Sequence, residues 1–326
     1  MLLSLAAIAV GLALLIWSAD QFVDGATAIA EHLGVSSLII GITIVGFGTS
    51  APEILVSIIA VLEDTPNLAI GNALGSNIAN IGLILGVTAI LTVIPVDKDV
   101  LKREYPLLLI ATLVMIWCLF DLQLDFVDGI MLLTLLLIML WYMIDIHRNN
   151  GVTKASENDS ENQAGSNELM PLGAATGWVL LGLVVLVGSS KILVWGATNV
   201  ATALGVSELI IGLTIVALGT SLPELAASIS SLKKGVADLA IGNVIGSNLF
   251  NSLAVIGIPA MLTSFSIDEK VLYRDLPVVA AITLLIYILS RFPMSAPHYL
   301  TRFKGILLLG CFVIYQLYLY FEVVTN

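Results

Sequence analysis

Glu53 and Glu224 are the only ionisable residues deep within the apolar stretches of this chain. Each ends a run of small, oxygen-bearing residues, GFGTSAPE at 46–53 and ALGTSLPE at 217–224. On a helix, Gly46, Thr49, Ser50 and Glu53 fall at i, i+3, i+4 and i+7 and share one face; Ala217, Thr220, Ser221 and Glu224 do the same. A second motif adds more oxygen. GNALGSNIAN at 71–80 sets Ser76 and Asn80 one turn apart, and GNVIGSNLFN at 242–251 does so for Ser247 and Asn251. Carboxylates, hydroxyls and amides are hard donors, suited to Ca²⁺, Mg²⁺ or Na⁺ rather than zinc or copper. His32, His147, His298, Cys118 and Cys311 all lie outside both motifs. Ca²⁺ accepts a flexible shell of about 6–8 oxygens, whereas Mg²⁺ demands a tight octahedron, so many weak donors on bendable helices favour Ca²⁺.

These residues must be carried by membrane-spanning helices. The chain of 326 residues is 58% hydrophobic and only 11% charged, with a mean hydropathy of +1.03. Too few polar residues remain to cover soluble cores. With 13 Lys and Arg against 24 Asp and Glu, it is no nucleic-acid binder. The two cysteines sit in apolar runs and suggest neither a disulfide framework nor a thiolate metal site. A span needs about 20 apolar residues. Ten are expected, at 2–19, 37–62, 67–93, 105–120, 126–146, 171–190, 207–232, 237–262, 276–290 and 303–323. No Lys or Arg precedes the first, so it reads as a retained span rather than a signal peptide.

A charge at the bilayer centre costs about 2.5–3.5 kcal/mol on insertion scales, so two in matching motifs point to a function. Pro52 and Pro223 each remove an N–H and clash with the carbonyl four residues back, at Gly48 and Gly219. In lipid, freed carbonyls are tolerated only where buried in protein or lining a cavity. Gly71, Gly75, Gly242 and Gly246 let helices approach closely. Asn72, Asn77, Asn243 and Asn248 either brace neighbouring helices or add ligands.

The motifs belong to an internal repeat with an offset of 171 residues. Aligning 33–86 with 204–257 gives 28 identities in 54 positions. The register extends outward through GAT at 25–27 and 196–198, and VLKREYP at 100–106 with VLYRDLP at 271–277. Five spans separate equivalent points, so the copies cross the membrane in opposite directions, an inverted-topology repeat typical of secondary transporters. The domain reading is 1–147 as the first five-helix repeat, 148–170 as a linker and 171–326 as the second repeat. Within the linker, 151–169 is polar, acidic and free of aromatics, hence flexible.

Cations orient the whole. Lys98, Lys102, Arg103, Arg148, Lys154, Lys233, Lys234, Arg291, Arg302 and Lys304 fall on the side opposite the termini. Only Lys191, Lys270 and Arg274 fall on the terminal side. The positive-inside rule then puts both termini outside and the linker in the cytoplasm. Arg103–Glu104 and Arg274–Asp275 read as interfacial anchors or ion pairs. Glu63, Asp64, Asp121 and Asp125 read as solvated loop ends.

Electrostatics suggests exchange. Two carboxylates about 4 Å apart repel by ~4 kcal/mol at an effective dielectric of about 20. A positive ion should therefore occupy the site whenever it changes sides, as one Ca²⁺, two Na⁺ or two protons. A third Na⁺ would make the exchange electrogenic. Cargo and coupling ion would compete for one site.

At these residues the sequence resembles the cation/Ca²⁺ exchanger superfamily, specifically the prokaryotic Na⁺/Ca²⁺ antiporters. GTSAPE with GNALGSNIAN is similar to the family's first α-repeat, and GTSLPE with GNVIGSNLFN to its second. The resemblance implies an all-α fold of ten transmembrane helices in two inverted repeats, with broken helices 2, 3, 7 and 8 around a midplane ion site. It implies ion coordination by Glu53, Glu224, Thr49, Ser50, Thr220, Ser221, Ser76, Asn80, Ser247 and Asn251, with backbone carbonyl ligation near Gly46 and Ala217. It also implies a fairly rigid core of spans 2–5 and 7–10, across which long spans 1 and 6 slide. Some relatives carry an acid where this chain has Asn251; here the site holds at most two formal negative charges, which points away from a K⁺-requiring exchanger. The expectation is an antiporter of the plasma (prokaryotic inner) membrane exchanging Ca²⁺ for Na⁺, with no cofactor and no obligate protein partner, and not an enzyme. The alternative is a Ca²⁺/H⁺ exchanger of the same fold; hydroxyl-rich flanks favour Na⁺, because proton coupling needs only the carboxylates. Ser50 and Ser221 as hydrolase nucleophiles would lack a positioned base, and a passive channel would leave paired inverted motifs unexplained.

Overall fold

The computed structural model describes residues 1–98, 100–158, 170–204, 217–292 and 297–325. In lipid, a chain this apolar must bond its own backbone, and it does so as helices. They are α1 (Leu2–Leu33), α2 (Ser37–Leu62), α3 (Pro66–Leu91), α4 (100–119), α5 (Phe126–Asn158), α6 (Leu172–Ala203), α7 (Leu222–Lys233), α8 (Ala237–Leu262), α9 (Val271–Arg291) and α10 (Arg302–Thr325). A short helical turn, Ala217–Thr220, precedes α7. Among the described residues eight helices are long and apolar enough to cross a bilayer. α4 misses that measure because Lys102, Arg103 and Glu104 crowd its first turns. Residues 207–216 of the expected seventh span, and 159–169 of the expected linker, lie outside the described residues.

Three expected boundaries move. α1 and α6 run to 33 and 203, well past the 19 and 190 at which hydropathy falls. Each is 32 residues long. Charges at Asp20, Asp24 and Lys191 end the apolar run, but none of them breaks a helix; α1 stops only where Gly34 takes up a left-handed backbone at φ 63°. α5 continues to Asn158, into the expected flexible segment, because extending a formed helix costs far less than starting one.

α1 and α6 pack antiparallel. A Cβ on Gly25 would come within 2.7 Å of the Ala175 carbonyl, and one on Gly196 within 2.7 Å of the Ser4 carbonyl. As residue numbers rise on one helix they fall on the other, and Gly25 and Gly196 are repeat partners.

α8 forms the axis of the remaining bundle and is buried along its whole length. Its small residues let α2 cross closely: a Cβ on Gly46 would stand 3.0 Å from Gly246. The interruptions expected in the helices take two forms. α2, α3 and α8 stay continuous but widen into π-helical turns at Gly41–Val45, Asn80–Leu85 and Asn251–Val255. The seventh helix is broken instead, at Ser221. π-turns often mark functional positions in helices, and those of α3 and α8 begin at the repeat partners Asn80 and Asn251.

Two short antiparallel ladders tie the halves together. β1 (Ile94–Val96) pairs with β4 (His298–Leu300), and β2 (Gln123–Leu124) with β3 (Phe265–Ser266). Leu113, Trp117, Leu137, Trp141, Val184 and Ile314 project outward from the bundle, an apolar exterior suited to lipid rather than water.

Candidate functional site

Pro52 lies inside α2, which nonetheless runs on through it. Pro223 is the second residue of α7, and the chain ahead of it turns tightly, with Ser221 N–H donating to Leu218 O at 3.1 Å. Pro223 leaves the Gly219 carbonyl without its helical donor. Ser190 of α6 supplies one, donating its hydroxyl to Gly219 O at 2.7 Å. Its repeat partner is Ala19, which has no hydroxyl, and Gly48 instead meets the side chains of Leu183 and Phe22.

These bends bring the two glutamates inside. Glu53 and Glu224 are each 1% exposed, on α2 and α7. Each is close enough for the other's charge to matter. Their backbones are held alike. Asn72 Nδ2 donates to Glu53 O and Ser57 Oγ, both at 3.3 Å. Asn243 Nδ2 donates to Glu224 O at 3.2 Å and Ser228 Oγ at 3.0 Å. The same four-residue step and the same amide serve both halves. Asn72 and Asn243 are therefore braces, which resolves the choice left open for them.

Thr49 sits at the crossing of α2 and α8. Its hydroxyl lies 3.1 Å from Val45 O, 3.5 Å from Gly46 O, 3.2 Å from Asn243 Oδ1 and 3.2 Å from Ser247 Oγ. A hydroxyl has one hydrogen to donate, so Thr49 stands among more oxygens than it can satisfy. Gly46 thus offers a carbonyl where backbone ligation was expected; Ala217 lies in the helical turn before α7.

Several buried atoms have no hydrogen-bond partner among the described residues. They include both carboxylate oxygens of Glu53, Glu224 Oε2, the hydroxyls of Ser50 and Ser221, Asn80 Oδ1 and the whole Asn251 amide. Nearly all can present lone pairs, and buried polar groups ordinarily find partners. Such a cluster of buried oxygens suits a hard cation. Ser76 and Ser247 are buried on α3 and α8, and Thr220 is half-buried. Among the described residues no three of His, Cys, Asp and Glu gather into a metal-ligating group.

The amide contacts of the two halves differ. Asn80 Nδ2 donates to Asn248 Oδ1 at 3.0 Å. In the repeat-related pair, Asn251 Nδ2 and Asn77 Oδ1 both lack a partner. Asn77 donates instead to Ser252 Oγ at 2.9 Å.

Sequence reasoning missed Ser57, Ser228 and Ser190. Ser57 and Ser228 could have been found, since each lies one turn beyond its glutamate and they are repeat partners. Ser190 carries no such signal, because its partner is alanine.

Comparison with known proteins agrees with this arrangement. The model of the sodium/calcium exchanger protein family matches residues 3–144 and 174–321. The chain is 44% identical over 323 residues to CaxA of Alkalimonas amylolytica, covering 98% of this chain and 99% of that one. It is 39% identical over 320 residues to the inner membrane protein YrbG of Escherichia coli, covering 98% of each. A solved structure of the sodium-calcium exchanger NCX_Mj, soaked without Na⁺ and Ca²⁺, aligns at TM-score 0.81 and 31% identity, over 96% of this chain and 98% of that one. The chain belongs to the sodium/calcium exchanger family and is a multi-pass membrane antiporter of the cation/Ca²⁺ class, not an enzyme.

Proposed function

We propose that the protein exchanges Na⁺ for Ca²⁺ at one shared site between α2, α3, α7 and α8. Glu53 and Glu224 supply the charge. Thr49, Ser50, Ser76, Asn80, Thr220, Ser221, Ser247 and Asn251 supply neutral oxygens, joined by backbone carbonyls near Gly46 and Ala217. The observation that carries this reading is the pair of nearly inaccessible glutamates surrounded by buried oxygens without hydrogen-bond partners. Empty, two such carboxylates repel; a Ca²⁺ or two Na⁺ cancel their charge, so only a loaded site crosses between sides. Competition of the two ions for the same oxygens then gives antiport.

The two halves act as inverted repeats, with α1 and α6 sliding across the rest. Both termini lie outside and the linker in the cytoplasm of a prokaryotic inner membrane, on the distribution of cations. Na⁺ rather than H⁺ is the coupling ion, because protons would need only Glu53 and Glu224 and leave the hydroxyls idle. The names of NCX_Mj and of the sodium/calcium exchanger MaX1 of Methanosarcina acetivorans, 30% identical over 351 residues, support this.

Proteoliposomes test it. ⁴⁵Ca²⁺ should move under an outward or inward Na⁺ gradient at constant pH. Flux driven by a pH gradient alone, with none driven by Na⁺, would replace Na⁺ by H⁺ as the coupling ion.

A further inference from the structure

α1 is fastened to α7 at the end where the chain turns toward α8. Lys234 reaches across to the Asp24 carboxylate at 2.6 Å and donates to the Asp20 carbonyl at 2.5 Å. Ser230 donates to Asp20 Oδ1 at 2.5 Å. None of these residues belongs to the ion site.

The repeat register gives this fastening a mate. Subtracting or adding 171 takes Lys234 to Glu63 and Asp20 to Lys191. The signs are exchanged: a lysine at the end of α7 facing acids on α1 becomes an acid at the end of α2 facing a lysine on α6. The backbone equivalence is close, since the next residues, Asp64 and Gly235, are both left-handed at φ 57° and 77°. Yet Lys191 and Glu63 are both exposed and make no ion pair among the described residues. The packing is uneven in the same sense. α1 lies along α7, whereas α6 touches the matching part of α2 only sparsely.

We propose that these are two alternate ionic latches of the transport cycle. Lys234 on α1 is closed in this conformation. Lys191 with Glu63 closes when α6 moves onto the end of α2 and α1 leaves α7. In the proposed orientation the first seals the cytoplasmic side and the second the outside. Charge complementarity survives the repeat although neither residue type does, which a pair of solvated loop ends would not require. The inference rests on the antiport reading above for its alternating conformations, but not on which ions drive them.

The test uses the full-length protein in liposomes. In a background of Cys118→Ala with Cys311→Ala, one cysteine pair replaces Asp24 and Lys234, and another replaces Glu63 and Lys191. A short bis-thiol reagent should bridge either pair, and reduction or cleavage should restore flux. A chain carrying all four cysteines should acquire one bridge or the other, never both. Separately, Lys191→Glu should slow exchange roughly two- to five-fold, the reach of a partly exposed ion pair, and Lys191→Glu with Glu63→Lys should recover it. Both bridges in one chain, a 63–191 pair that never bridges, or unchanged flux in Lys191→Glu would overturn the proposal. If the bridges alternate while wild-type protein shows no Na⁺-driven Ca²⁺ flux, the latches stand and the Na⁺/Ca²⁺ reading falls.

Discussion

Ser190 donates its hydroxyl to the Gly219 carbonyl at 2.7 Å, and that carbonyl is the one Pro223 deprives of its helical donor. One hydroxyl on α6 thus stabilises the break that admits Glu224 to the interior. Ser190→Ala should leave this carbonyl unsatisfied and cost about 1–3 kcal/mol. Thermal unfolding in detergent should show a lower midpoint, and Ser190→Thr should retain most of the wild-type value.

Removing either acid should be far more damaging to transport than to folding. Glu53→Gln and Glu224→Gln each leave the partner charge buried against a single neutral amide. Breaking a buried pair costs about 3–5 kcal/mol, so Ca²⁺ affinity should fall by about a hundredfold or more. ⁴⁵Ca²⁺ uptake into vesicles at near wild-type rates by either variant would remove these residues from the site.

Asn72 and Asn243 hold the glutamate backbones rather than an ion. Asn72→Ala and Asn243→Ala should therefore raise the Ca²⁺ concentration giving half-maximal flux, by about 5- to 10-fold for a lost buried bond of about 1–1.5 kcal/mol. Their effects should be similar, because the bonds they lose are the same. A dose–response of flux against Ca²⁺ checks both.

Gly25 and Gly196 set how closely α1 and α6 approach. A β-carbon at either would press into a backbone carbonyl 2.7 Å away. Gly25→Leu and Gly196→Leu should force the helices apart and slow exchange. Equilibrium ⁴⁵Ca²⁺ binding to the detergent-solubilised variants should persist, since neither glycine contacts Glu53 or Glu224.

Much of this molecule is written in its sequence, because the membrane makes buried charge conspicuous. Glu53 and Glu224 stand out against apolar neighbours, and an offset that matches 28 of 54 positions pairs them without any coordinates. Arg274 and Asp275 likewise read as an ion pair, and they form one, with Arg274 Nε 2.7 Å from Asp275 Oδ1 and its Nη1 2.9 Å from Glu322 Oε2. Helix ends were less legible. Asp20 and Asp24 look like the start of a loop until Ser230 and Lys234, more than 200 residues away in sequence, are seen to receive them. The π-turns at Asn80 and Asn251 were invisible for another reason: a run such as NIGLIL suits either winding, and its environment selects between them.

The strand ladders carry a last consequence. Each joins a segment from one half to a segment from the other: β1 to β4 at one rim of the bundle, β2 to β3 at the opposite rim. With both rims stapled, the halves cannot swing apart like a pair of jaws without tearing backbone bonds. A cycle that keeps the staples has one moving part left, the glycine-packed piston of α1 and α6, which neither staple touches.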